Sequence, residues 1–147
     1  MAPIREYALS LKQPWATLVV HGLKTIEVRR WSTPRRGRVL IHAARIPDDR
    51  PEGWNRVPEN LRETALLGGC ILGAAEVVGC QHYRTLEEFC QDQARHLNEP
   101  EWFESTGLYG FTFANPEVLP FRKYPGWLRF FPVDPGPFRR KQKTPLP

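Results

Sequence analysis

A chain of 147 residues, 41% apolar and 25% charged, suits one globular domain with a core of its own. No apolar run reaches the roughly 18 to 20 residues of a membrane helix, and the opening MAPIREYALS lacks the apolar stretch of a signal peptide. No membrane partner is expected, and an intracellular place is expected: the cytoplasm, or the nucleus in a eukaryote.

The net charge of +5 is unevenly spread. Lys24, Arg29, Arg30, Arg35, Arg36, Arg38 and Arg45 stand against Glu27 alone, a local +6, and the rest of the body as far as Asp134 carries −5. A basic patch on a nearly neutral body creates a directed field and points to a polyanion, nucleic acid first. Cys70, Cys80 and Cys90 form no C-x-x-C pair and have no histidine at metal-ligand spacing. They read as reduced, packed thiols, and neither a metal nor a cofactor is expected. His21, His42, His82 and His96 are scattered and read as structural or surface residues.

In chain order, Tyr7 to Leu11 reads as a strand. Pro14 opens a helix of about two turns through His21, and Gly22 closes it. Ile26 and Val28 then alternate with Thr25, Glu27 and Arg29, the period of a half-buried strand. Lys24 falls on the opposite face by strict alternation, so it meets Glu27 only if it sits in the turn or a bulge intervenes, and the nearness of Gly22 favours the turn. Trp31 to Gly37 is a turn-rich loop presenting Arg35 and Arg36, whose planar forks suit phosphate oxygens and stack on bases. Arg38 to Ala44 is apolar on both faces and reads as a strand inside a closed barrel, with His42 its polar intruder.

Residues 46–58 read as a surface loop and Glu59 to Leu67 as a modest helix. Cys70 to Cys80 is an apolar strand interrupted by Glu76. A buried, unpaired carboxylate is costly, so Glu76 pairs with a partner such as an arginine, reaches solvent through a pocket or takes up a proton; alternation alone leaves these open. Thr85 and Glu88 form a capping box that opens a helix through about Leu97, and Asn98 to Thr106 reads as packed aromatics or a flap. Tyr109, Phe111 and Phe113 alternate through a strand, and Trp127 to Val133 supplies another. Residues 1–134 thus read as one domain, and residues 135–147 as a basic, disordered tail.

Several blocks then stand in order: L-S-x-x-Q-P-W-A from Leu9, G-x-K-x-x-E-x-R from Gly22, W-S-T-P-R-R-G-R from Trp31, G-C-I-L-G from Gly69, and a late strand ending in Asn115-Pro116. On these residues the sequence resembles the ASCH domain family, named for homology to activating signal cointegrator, and its cointegrator-type members above all. Five or six strands with two short helices and one longer one make a small α+β fold, and the resemblance implies a PUA-like β-barrel used for RNA binding. It also implies a cleft beside the barrel, lined by Lys24, Glu27, Arg29 and Glu76.

The leading functional expectation is a nucleic-acid-binding domain, for RNA before DNA and single strands before duplex, whose basic cleft takes a phosphate, a nucleotide or an unpaired base. Lys24, Glu27, Arg29, Arg30, Trp31, Arg35, Arg36 and Arg38 are its candidate contacts. The resemblance also implies a second expectation, a hydrolase acting on RNA or on a modified nucleoside amide, with Lys24, Glu27 and Glu76 as catalytic candidates by position. The amidohydrolase branch of the superfamily carries a threonine where Glu27 stands, which sets this chain apart. A third expectation is a protein-interaction module of the coactivator type.

Overall fold

The computed structural model of the chain describes residues 5–135. The expected basic tail lies outside the described residues except for Pro135. Six strands form one sheet: β1 (Glu6–Leu11), β2 (Ile26–Arg29), β3 (Gly37–Ala43), β4 (Cys70–Tyr83), β5 (Leu108–Lys123) and β6 (Phe130–Val133). Their order is β2-β5-β4-β3-β1-β6. Only β1 and β3 pair in parallel; the other neighbours are antiparallel. The sheet curls into a half-barrel, an α+β barrel-like fold. The β4–β5 ladder shifts register at Ile71/Gly73, Ala74/Glu76 and Val77/Gly79, and the β3–β4 ladder at Ile41/His42. Each irregularity adds local twist and bend. The closed barrel anticipated around β3 is not reached, because the four-residue strands β2 and β6 remain edges among the described residues.

Helix α1 (Trp15–Val20) packs on one face of the sheet, and all six of its residues are buried. It packs on Leu9, Leu11, Val39, Ile41, Val77, Phe111 and Phe113. The other face of the same strands carries Ala8, Leu40, Ile71 and Ala74 beneath Phe131 and Val133. That double burial explains why β3 reads as apolar on both faces. Each fully buried Leu or Phe contributes roughly 1.5–3 kcal/mol. Pro14 precedes the helix as its cap residue, one position earlier than its sequence reading, and Gly22 at φ +78° ends the turn that follows. Gln13 ties the helix down: its Oε1 accepts from the Thr17 amide at 3.0 Å and hydroxyl at 2.9 Å, and its Nε2 donates to the Thr64 and Leu67 carbonyls.

Elsewhere the helices are short. A turn of helix, α2 (Pro51–Trp54), lies within the stretch read as loop, and the modest helix after it is a 3₁₀ turn plus α3 (Arg62–Ala65). The longer helix expected from Thr85 is split into α4 (Leu86–Gln91) and α5 (Gln93–His96). The break falls at Asp92, whose carboxylate accepts a 2.6 Å hydrogen bond from the Tyr83 hydroxyl. The last strand starts at Phe130, three residues later than the sequence pattern suggests, which leaves Trp127 and Leu128 in a loop. Cys70 is buried, Cys80 and Cys90 are half-buried, and all three are free thiols.

Candidate functional site

The G-x-K-x-x-E-x-R stretch builds the floor of a cleft of about 380 Å³. Lys24 lies in the turn before β2, its amide bonded to the Leu18 carbonyl, so its side chain reaches the face that Glu27 occupies. The Lys24 ammonium donates to the His96 carbonyl, stands 3.7 Å from a Glu27 oxygen and lies 4.9 Å from the Trp15 ring centre. Burial pushes Lys24 down to about 8, against the opposing pull of Glu27. The other Glu27 oxygen accepts from Arg29 Nε at 2.9 Å, and Arg29 Nη2 donates to the Ser10 carbonyl at 2.7 Å. Glu27 therefore sits between two cations and orients both.

One wall descends from Asp48. It accepts from the Trp15 indole at 2.9 Å and from the backbone and side chain of Arg50. Burial alone would raise the Asp48 carboxyl, but the bonds from Arg50 and Trp15 outweigh it and hold it at about 2. The Arg50 guanidinium lies 3.6 Å from the Trp102 ring centre, so it is stacked as well as paired. The facing wall is the loop after β5. Its residue Arg129 adopts φ +52°, a left-handed conformation rarely taken by non-glycine residues, and lays its guanidinium 4.7 Å from the Trp31 ring centre. Lys12, Lys24, Arg29, Arg50 and Arg129 line the cleft against Glu27 and Asp48. Lys24 and Arg29 pair with Glu27, and Arg50 pairs with Asp48.

The remaining expected residues are dispersed. Trp31, Arg35 and Arg36 line a separate hollow, joined to the cleft through Arg129. There Arg35 lies 4.3 Å from the Tyr7 ring centre, while Trp31 packs edge-on against Phe111 and Phe130. Arg30 pairs with Glu104, and Arg38 bridges Glu6 and Glu117. Both arginines are spent in exposed ion pairs and neither lines the cleft. Glu76 is half-buried and accepts a 2.8 Å bond from Asn115 Nδ2, so it meets neither an arginine nor the cleft. Trp15 is buried, with its indole nitrogen taken by Asp48.

The sequence reading missed Lys12, Asp48, Arg50, Asn98, Trp127 and Arg129, all of which line the cleft. A signal existed for Trp127 and Arg129 in an aromatic-basic run after a glycine. Asp48 and Arg50 carry none, because each is one charge among several in an acidic loop. No group of three or more metal-ligating side chains occurs among the described residues, and no helix among them is long and apolar enough to cross a membrane.

The ASCH domain family model matches residues 9–122. Activating signal cointegrator 1 of Homo sapiens is 30% identical over 122 residues, covering 77% of this chain. The Mus musculus protein of the same name is 31% identical over an equal length. The match takes up 19% of either relative, so the chain spans about a fifth of their length. Among solved structures, an ASCH protein of Zymomonas mobilis superposes with a TM-score of 0.63 at 16% identity, over 88% of this chain and 87% of that one. A mutant form of that protein gives 0.63 over 89% and 91%. At this identity the likeness speaks for the fold.

Proposed function

The chain belongs to the ASCH domain family, and from that premise we propose that the cleft floored by Lys24, Glu27 and Arg29 receives one nucleotide of a single-stranded nucleic acid, RNA foremost. The observation that carries this reading is the convergence of five cationic side chains on one cleft whose walls also hold indole rings. Its volume, about 380 Å³, falls within the roughly 300–1,000 Å³ of ligand pockets. Arg129 presents a fork to phosphate oxygens, Lys24 and the paired Arg29 supply positive charge at the floor, and Glu27 an acceptor for a base amino group.

The test is titration of fluorescent single-stranded and duplex RNA and DNA at two salt concentrations, with each strand checked for cleavage afterwards. Wild-type protein is compared with Lys24→Met, Arg129→Ala and, as a control outside the cleft, Arg38→Ala. Binding that weakens with salt and with the first two variants, and not with the third, supports the reading. Failure of every oligonucleotide to bind overturns it and leaves a protein partner as the better occupant.

A second reading, hydrolysis of RNA or of a modified nucleoside amide, is favoured by one observation. Burial brings Lys24 down to about 8, toward the range in which a lysine serves as a general base. Glu27, at 3.7 Å, would be its carboxylate partner, since Glu76 lies away from the cleft. Strand cleavage abolished by Lys24→Met would promote this reading above simple binding.

A further inference from the structure

Beside the cleft lies a larger cavity of about 1010 Å³. The two share Ser10, Lys12, Ala44, Trp127 and Leu128 as lining residues. Trp127 is 71% exposed and Leu128 77% exposed, so two large apolar side chains form the common wall and stand in water. The loop that carries them is braced at both ends. On one side the His42 ring donates from Nε2 to the Tyr124 carbonyl at 2.7 Å, which leaves Nδ1 to accept the Ser10 hydroxyl at 2.8 Å. Gly126 passes so close that a Cβ there would lie 2.7 Å from His42 Cε1. On the other side, Arg129 holds its left-handed backbone and stacks on Trp31.

The larger cavity is mainly apolar, with Ile46, Pro125 and Trp127 among its walls. Among the described residues its charged lining is Lys12, Arg45 and Lys123, with no carboxylate. Apolar faces accompanied by Lys12, Arg45 and Lys123 complement a stacked base flanked by phosphates.

We infer that this cavity seats the nucleotide adjoining the one in the cleft, with Trp127 as the stacking wall between two successive bases. Lys12, common to both cavities, then faces the phosphate that links them. The inference rests on the single-strand reading above and names its ligand as a dinucleotide step.

The experiment measures competition by the ribonucleoside 5′-monophosphates of adenine and uracil, and by the dinucleotides pApA and pUpU, against a fluorescein-labelled single-stranded RNA. Wild-type protein should bind a dinucleotide between about 5- and 150-fold more tightly than the matching mononucleotide, the range that stacking one base on an aromatic ring confers. Trp127→Ala should remove most of that gain. Ile46→Asp and Lys123→Ala, which alter only the larger cavity, should shrink the gain and leave mononucleotide affinity unchanged. All three positions are surface-exposed in whole or large part, so thermal melts of the variants should match wild type.

A mononucleotide site with no dinucleotide gain, or a gain that survives Trp127→Ala, overturns the second seat alone. Absence of all nucleotide binding overturns the single-strand reading and this inference with it. Capture of an acidic amphipathic peptide, lost in Trp127→Ala and unaccompanied by a dinucleotide gain, also overturns the second seat and assigns the cavity to a protein.

Discussion

Lys24, on the floor of the proposed nucleotide site, is also a burden on the fold. Its folded-state value of about 8 lies below the ordinary 10.5, so the unfolded chain binds its proton more tightly. The protonated form therefore costs the fold on the order of 3 kcal/mol at neutral pH, and the cost fades as pH climbs from about 8 toward 10.5. Lys24→Met should accordingly raise the midpoint of urea unfolding at pH 7 while weakening nucleic-acid binding. Binding by the wild type should fall as pH rises through and above about 8, the bound anion itself moving the midpoint upward. Asp48 has the opposite sign. Held at about 2 instead of 3.8, it contributes stability above 3.8 that is lost as pH falls toward 2. Asp48→Asn should therefore cost about 1–2 kcal/mol at pH 7, discounted for the half-exposed Arg50, and almost nothing near pH 2. Urea titrations at the two pH values check this.

Among the elements, the capping box is the clearest local device. The Thr85 hydroxyl accepts from the Glu88 amide at 3.1 Å, and Glu88 reaches back to the Thr85 amide. Thr85→Ala should cost about 1 kcal/mol in thermal or urea unfolding. Such signals lie within one turn of chain, which is why this box, α1 and the alternation of β2 were legible from residues alone. The meeting of Lys24 with Glu27 was legible for the same reason, being three residues apart. What was not legible depends on distant chain. Trp15 finds Asp48 across 33 positions, and Glu76 finds Asn115 across 39. Alternation identified Glu76 as a carboxylate in need of a partner, but the bulge at Ala74/Glu76 and the left-handed Asn115 decide which partner it meets. Helix length failed at Asp92, because its bond to Tyr83 is a tertiary event that helix pattern does not encode. The basic run looked continuous in sequence, yet the curl of the sheet sends Arg38 to Glu6 and Glu117 and brings Arg50 and Arg129 to the cleft instead.

At the scale of the whole molecule, two buried histidines make the fold sensitive to mild acid. Burial lowers both His42 and His96 from 6.5, and each is neutral with its Nε2 proton given to a carbonyl. A lowered folded value means the unfolded chain takes up protons first, so stability should decline as pH falls below 6.5 toward the two folded values. Chemical denaturation at pH 7.5, 6 and 5 should show that decline, and His42→Asn, which cannot titrate, should flatten part of it. The edge pairing of β1 with β6 has a mechanical consequence. Glu6 stands opposite Val133 and Leu9 opposite Phe130 in an antiparallel ladder, so the two ends of the described chain leave from the same corner. Tension applied through them loads the rungs one after another, as a zipper is opened, and never all at once in shear. The strand peeled away is the one that follows Arg129 and Trp127, so a weak pull would strip the cleft of its wall while the core beneath α1 stayed whole.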